Sequence, residues 1–132
     1  VIFQSFNLLP SMTALENVNL PNEISGKFYD NKKGAELLKS VGLINRLNHY
    51  PHQLSGGEQQ RVAIARSLVS SPEILIADEP TGNLDKKNSE EVIKLIFKLQ
   101  KDFGSTLILV THDLSLANLC DTKIELDNGL II

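Results

Sequence analysis

The sequence has 132 residues, 42% of them hydrophobic and 22% charged, with a net charge of −3. This is a globular balance that fits one modest domain or part of a larger one, and the charge gives no support to an electrostatic nucleic-acid binder. The single cysteine, Cys120, excludes a disulfide framework within the chain and suits a reducing compartment. No secretory signal and no bilayer-length apolar run is present, so membrane association would come through a partner.

Val1 to Gln4, "VIFQ", reads as the end of a buried strand. The chain opens in mid-pattern, its only methionine is Met12, and "IELDNGLII" stops in mid-pattern too; we expect a fragment that lacks an N-terminal part. In "SMTALENVNLP", Thr13 and Glu16 are spaced as a capping box, and Pro21 is expected to end the helix that follows. Residues 31–41 form a second expected helix, with Leu37, Leu38 and Val41 on its inner face and Gly42 as its stop. "LINRLNHYPHQ" reads as a helical turn and a loop, with His49 and His52 solvated. A third helix opens on Ser55-Gly56-Gly57 and runs to about Ser70. Its free amides and dipole make an anion site. Capping by Ser55 alone is the simpler reading, but a pair of glycines exceeds what a cap needs.

"EILIADEP" is a continuous apolar run, as expected for a strand covered on both faces of a parallel sheet. In such sheets ligands bind beyond the carboxyl ends of the strands, where Asp78 and Glu79 stand. An ionised Asp can hold Mg²⁺, and a Glu can orient or deprotonate a water. Taken alone, "DEP" fits a strand running into an acidic turn equally well. Residues 86–103 form an amphipathic helix, with Val92, Leu95, Ile96, Leu99 and Phe103 at helical spacing and Gly104 closing it. "TLILVTHD" reads as another buried strand with a polar tip, which places His112 at the same sheet edge as Glu79. Gln4, ending the first strand, has an amide able to ligate Mg²⁺ or bond a water. Residues 114–120 read as helical, with Cys120 a small core residue, and "TKIELDNG" as a strand entering a turn. Strands alternating with helices predict an α/β fold with a mainly parallel sheet. A phosphate-binding G-x-x-x-x-G-K-[ST] run is missing from these residues. The only Gly-Lys pair, Gly26-Lys27, is followed by Phe28.

Five short pieces, which along the chain run in the family's order, resemble one family. "LSGGEQQR" is similar to the signature motif of ATP-binding cassette (ABC) ATPases, "ILIADEP" to their Walker B strand, "GNLD" to their D-loop, "VTHD" to their switch-histidine loop and "FQ" to their Q-loop. The resemblance implies a P-loop NTPase-type sheet with a helical subdomain. Residues 11–70 would form the helical and signature part, and 1–10 with 71–132 the catalytic sheet and its helices. It implies ATP and Mg²⁺ as ligands and a head-to-tail dimer with a second ATPase subunit. Ser55, Gly56 and Gly57 would serve the partner's nucleotide, and Asp85 would sit at the dimer seam. Glu79 and His112 would be catalytic, and Asp78 and Gln4 would serve the metal. The P-loop would lie upstream of Val1.

"FNLLPSMTALENVNLP", "DEPTGNLD" and "THDLSLANLCDTKIELDNG" look most like the ATPases of bacterial lipoprotein-releasing transporters, with those of macrolide-type efflux pumps and of a cell-division complex as close alternatives. This likeness implies permease subunits as partners and a place on the cytoplasmic face of the inner membrane. DNA-maintenance ATPases of the same family insert a long coiled coil between Q-loop and signature. Only about fifty residues intervene here, without sustained heptads.

Overall fold

The computed structural model describes residues 1–26 and 31–132; Lys27 and Phe28, beside the glycine of the Gly-Lys pair, lie outside them. Three strands, β1 (Ile2–Phe3), β2 (Ile74–Asp78) and β3 (Thr106–Val110), form one parallel sheet in the order β1-β2-β3. The helices are α1 (Ala14–Ile24), α2 (Asn31–Ser40), α3 (Gly56–Leu68), α4 (Lys86–Phe103) and the short α5 (Leu114–Ala117). Two short hydrogen-bonded strands, β4 (Leu126–Asp127) and β5 (Leu130–Ile131), close an antiparallel hairpin. Its turn residues Asn128 and Gly129 both have positive φ, the backbone that a tight hairpin requires.

The helix starts follow their capping residues. Thr13 and Glu16 form a reciprocal capping box at α1, and Ser55 and Glu58 form one at α3. Gly42, at φ +79°, turns the chain out of α2, and Gly104, at φ +65°, ends α4. The expected stop at Pro21 is not observed, because α1 continues one turn to Ile24. A proline forfeits one ladder bond, but the Pro21 carbonyl still accepts from the Ser25 amide at 3.2 Å. The last turn is also held by tertiary contact, since buried Asn22 accepts from the Ser70 hydroxyl at 3.0 Å.

The core gathers Val18 of α1, Leu37 and Leu38 of α2, Val62, Ile64 and Leu68 of α3, Val92, Ile96 and Leu99 of α4, and Leu75 and Ala77 of β2. Helix α3 is its hub, packed against α1, α2, α4 and β1. Two strand expectations are corrected. β2 is buried on one face only: Leu75 and Ala77 are buried, while Ile74 is 57% exposed. No residue of β3 is fully buried, because β3 pairs only with β2 and lies at the sheet's edge. Likewise Ile2 is buried but Val1, Phe3 and Gln4 are exposed. Cys120 is half-buried rather than a core residue, since α5 ends at Ala117 and leaves Cys120 in the turn beyond. His52 is exposed, as expected, and stacks on Tyr50; His49 is half-buried beside Arg46. Among the described residues no helix is long and apolar enough to cross a membrane.

Candidate active site

Parallel pairing brings the carboxyl ends of the strands to one edge. Phe3 pairs with Asp78, and Asp78 with Val110. Gln4, Glu79 and Thr111 are therefore the first residues beyond the sheet on three adjacent strands. Glu79 has φ +42°, a left-handed conformation that costs free energy in a non-glycine residue and persists only when its surroundings fix it. Here they do: the Glu79 amide donates to the Val110 carbonyl at 3.0 Å, and the Glu79 carbonyl accepts from the Gly82 amide at 3.0 Å.

The bend aims the Glu79 carboxylate at the loop after β3. Its Oε1 accepts from the His112 backbone amide at 2.8 Å and lies 2.7 Å from His112 Nδ1. A carboxylate can only accept, so Nδ1 carries the proton in this pair and Nε2 is left to the solvent. The histidine side chain is 87% exposed and the glutamate 24%. The second oxygen, Oε2, has only the Thr111 hydroxyl at 3.5 Å, too long for a strong bond. Oε2 is therefore the carboxylate oxygen without a close partner among the described residues. Beyond the histidine, Asp113 caps α5, and the hydroxyl and then the amide of Ser115 hold its carboxyl below the usual range.

On the neighbouring strand ends, Asp78 is exposed and Gln4 is exposed beside it. The Gln4 amide nitrogen donates to Asn83 Oδ1 at 3.4 Å, while Asn83 Nδ2 donates to the Gln4 carbonyl at 3.0 Å. That leaves the Gln4 side-chain oxygen and the Asp78 carboxylate as oxygen donors on one edge. The described residues contain no cluster of three or more His, Cys, Asp and Glu suited to a metal. Two oxygen-bearing side chains on one edge are compatible with Mg²⁺, which takes one or two protein oxygens and fills the rest of its octahedron with water and phosphate.

Ser55, Gly56 and Gly57 lie at the start of α3. Ser55 Oγ accepts from the Glu58 amide at 3.2 Å, and Glu58 Oε2 accepts from the Ser55 amide at 2.9 Å. The serine is thus an N-cap, as the simpler reading expects, and the Gly56 and Gly57 amides keep no acceptor among the described residues. Gly57 is buried against α4: a Cβ there would stand 2.8 Å from Asn88 Oδ1. Asn88 in turn donates to the carboxylate of Asp85. The chain therefore links Gly57, Asn88 and Asp85 in one contact line.

Three contributors escaped the sequence. Gly82 is one: its missing side chain makes room for Gln4, whose Nε2 would lie 2.5 Å from a Cβ there. Gln60 and Arg66 are the others, both on α3. Gln60 is fully buried and donates to the backbone carbonyls of Phe3 and Pro80. Arg66 donates to those of Phe6 and Asn7. Only the spacing of polar residues on an otherwise apolar helix face could have pointed to them.

The profile of the family described as "ABC transporter" matches residues 1–82. Three curated relatives are similar: the protein named as uncharacterized ABC transporter ATP-binding protein YbbA of Escherichia coli (52% identity, 97% of this chain), the lipoprotein-releasing system ATP-binding protein LolD of Cytophaga hutchinsonii (52%, 99% of this chain) and the macrolide export ATP-binding/permease protein MacB of Chlorobium luteolum (50%, 99% of this chain). The chain spans 57% of the first, 61% of the second and 20% of the third. Among solved structures, a dimeric post-hydrolysis state of the ATP-binding cassette MJ0796 bound to ADP and Pi matches with a TM-score of 0.74 and 46% identity, over 88% of this chain and 53% of that one. With the family profile over most of its length and the cassette fold around the Glu79–His112 edge, this chain belongs to the ABC transporter ATP-binding family.

Proposed function

We propose that this chain is the greater part of an ATP-hydrolysing subunit that powers an ABC transporter, splitting ATP and water to ADP and phosphate. The observation that carries this reading is the Glu79–His112 pair at the carboxyl edge of the sheet, 2.7 Å apart. Glu79 Oε2 accepts the proton of the attacking water, whose oxygen bonds the γ-phosphorus as the bond to the leaving ADP oxygen breaks. His112, oriented through Nδ1 by Glu79, presents Nε2 to the γ-phosphate. Asp78 and Gln4 would hold Mg²⁺, which when bound would neutralise charge on the phosphates. Positioning and charge stabilisation carry most of the catalysis in phosphoryl transfer.

Ser55, Gly56 and Gly57, of which the two glycines keep unpaired amides among the described residues, serve the nucleotide of a second ATPase subunit in a head-to-tail dimer. Asp85, held by Asn88, lies at the seam. That the similar MJ0796 cassette is dimeric supports a two-subunit assembly. The helical residues 11–70 form the arm that docks on membrane permease subunits at the cytoplasmic face of a bacterial inner membrane, and residues 1–10 with 71–132 form the catalytic part. Lipoprotein release is the transport role we favour, on the likeness to LolD. Macrolide-type export is the alternative, on the likeness to MacB; an adjacent gene for a lipoprotein-releasing permease would decide for the first, and one for a macrolide exporter for the second.

The chemistry is tested by Glu79→Gln in the complete protein. The amide is isosteric but not basic. ATP binding should persist, turnover should fall by about 10²–10⁴-fold, and the variant should accumulate as an ATP-bound dimer. Near-normal phosphate release would remove Glu79 from the role of base.

A further inference from the structure

Gln4 and Glu79 stand on different loops, joined below by the Phe3–Asp78 strand pairing and above by the Gln4–Asn83 hydrogen bonds. Helix α3 touches both. Gln60 Nε2 donates to the Phe3 carbonyl at 3.3 Å and to the Pro80 carbonyl at 2.5 Å. Phe3 immediately precedes Gln4, and Pro80 immediately follows Glu79. One amide group therefore spans the two site loops. It is fully buried, and its oxygen has no hydrogen-bond partner.

Six residues along the same helix, Arg66 reaches the far side of the Gln4 loop. Its guanidinium donates to the Asn7 carbonyl at 2.6 Å and the Phe6 carbonyl at 2.8 Å. Phe6 and Asn7 are consecutive non-glycine residues at φ +49° and +51°, a conformation that must be imposed from outside. The ring of Phe6 also borders Gly56, at 3.7 Å from where a Cβ would stand. The loop that carries Gln4 is thus gripped at Phe3 by Gln60, at Phe6 and Asn7 by Arg66, and set beside the first residue of α3 through Phe6.

We propose that Gln60 and Arg66 are positioning residues for hydrolysis: through them α3, whose opening turn carries Ser55–Gly57, sets the separation of Gln4 and Glu79. A nucleotide met by that turn would be felt at the catalytic edge through a rigid helix rather than through a flexible loop. This rests on the ATPase reading above and adds to it the device that aligns the two loops.

The test uses the complete protein with Mg·ATP, measuring kcat, KM, the Mg²⁺ concentration for half-activation, nucleotide affinity and thermal midpoint. Gln60→Met keeps the length and apolar packing of the side chain but deletes both donors. It should leave nucleotide affinity within about twofold and lower kcat by about 10–100-fold, as expected when reacting groups are misplaced by a fraction of an ångström to an ångström. Arg66→Met should lower kcat and raise the half-activating Mg²⁺ concentration. Arg66→Lys, which can serve one carbonyl but not fork to two, should recover part of both. If Arg66→Met fails to fold, the lysine variant decides: a raised Mg²⁺ requirement supports the proposal and an unchanged one overturns it. Wild-type kcat in Gln60→Met, or a loss that vanishes at a temperature where the variant is fully folded, would also overturn it. If instead Glu79→Gln left turnover intact, the ATPase reading itself would fail. An active wild type silenced by Glu79→Gln but indifferent to Gln60→Met sinks only the positioning role.

Discussion

A methyl group at position 82 would meet the Gln4 side chain at 2.5 Å from Nε2 and 2.7 Å from Cδ, closer than real contacts allow. Gly82 is exposed and lacks a positive φ, so alanine suits its backbone, and the flexible tip of Gln4 is what must give way. Gly82→Ala should therefore leave the thermal midpoint nearly unchanged while displacing the Gln4 amide. We expect turnover to fall by about tenfold with a raised Mg²⁺ requirement. Unaltered kinetics would show that Gln4 works from a different position. Glu79 and His112 were legible in the sequence because each ends an apolar strand-length run, and parallel strands place such ends together. Gly82, Gln60 and Arg66 were not. Gly82 matters for a side chain 78 positions away, and the other two act on backbone carbonyls that carry no sequence identity.

Helices were the most readable elements. The period of α4 located its buried Val92, Ile96 and Leu99, and the two capping boxes marked where α1 and α3 begin. Their boxes also carry charge. The backbone amide of Ser55 holds the Glu58 carboxyl below its ordinary range, with Arg46 and the Ser55 hydroxyl adding to it, and the Thr13 amide does the same for Glu16. A carboxyl depressed in the folded state stabilises above its unfolded value and loses that contribution as pH falls through its folded one. Glu58→Gln keeps a capping side chain at this position but does not titrate. Between pH 6 and pH 3 the thermal midpoint of the variant should fall less than that of the parent. The difference at pH 6 should be about 1–3 °C, and it should shrink as the pH falls through the lowered folded-state value. Parallel curves would mean that the Glu58 charge adds nothing. Strands were read less well, because burial of a strand depends on neighbours distant in sequence. The apolar runs of β2 and β3 identify strands, but only one face of β2 is covered by the helices of this chain.

That uncovered face shapes the behaviour of the whole molecule. Phe3, Ile74, Ile108 and Val110 are 40–57% exposed along one sheet, and contiguous exposed apolar surface promotes association. The 132 residues also contain no glycine-rich G-x-x-x-x-G-K-[ST] run to cradle the β- and γ-phosphates. Produced alone, they should be poorly soluble and should bind Mg·ATP only weakly, without turnover; calorimetric titration beside a phosphate-release assay checks this. A micromolar dissociation constant would place a phosphate cradle among the residues described above. The sheet has a further consequence, in time. Ile2 pairs with Ala77, so strand β1 of the nascent chain waits for a partner translated roughly 75 residues later, about 4–15 s at ordinary ribosomal speeds. Helices α1, α2 and α3 are made in that interval. Val18, Leu38 and Val62 are free to condense first, and by the time Ala77 leaves the exit tunnel, the amide of Gln60 is already on hand to receive the Phe3 carbonyl.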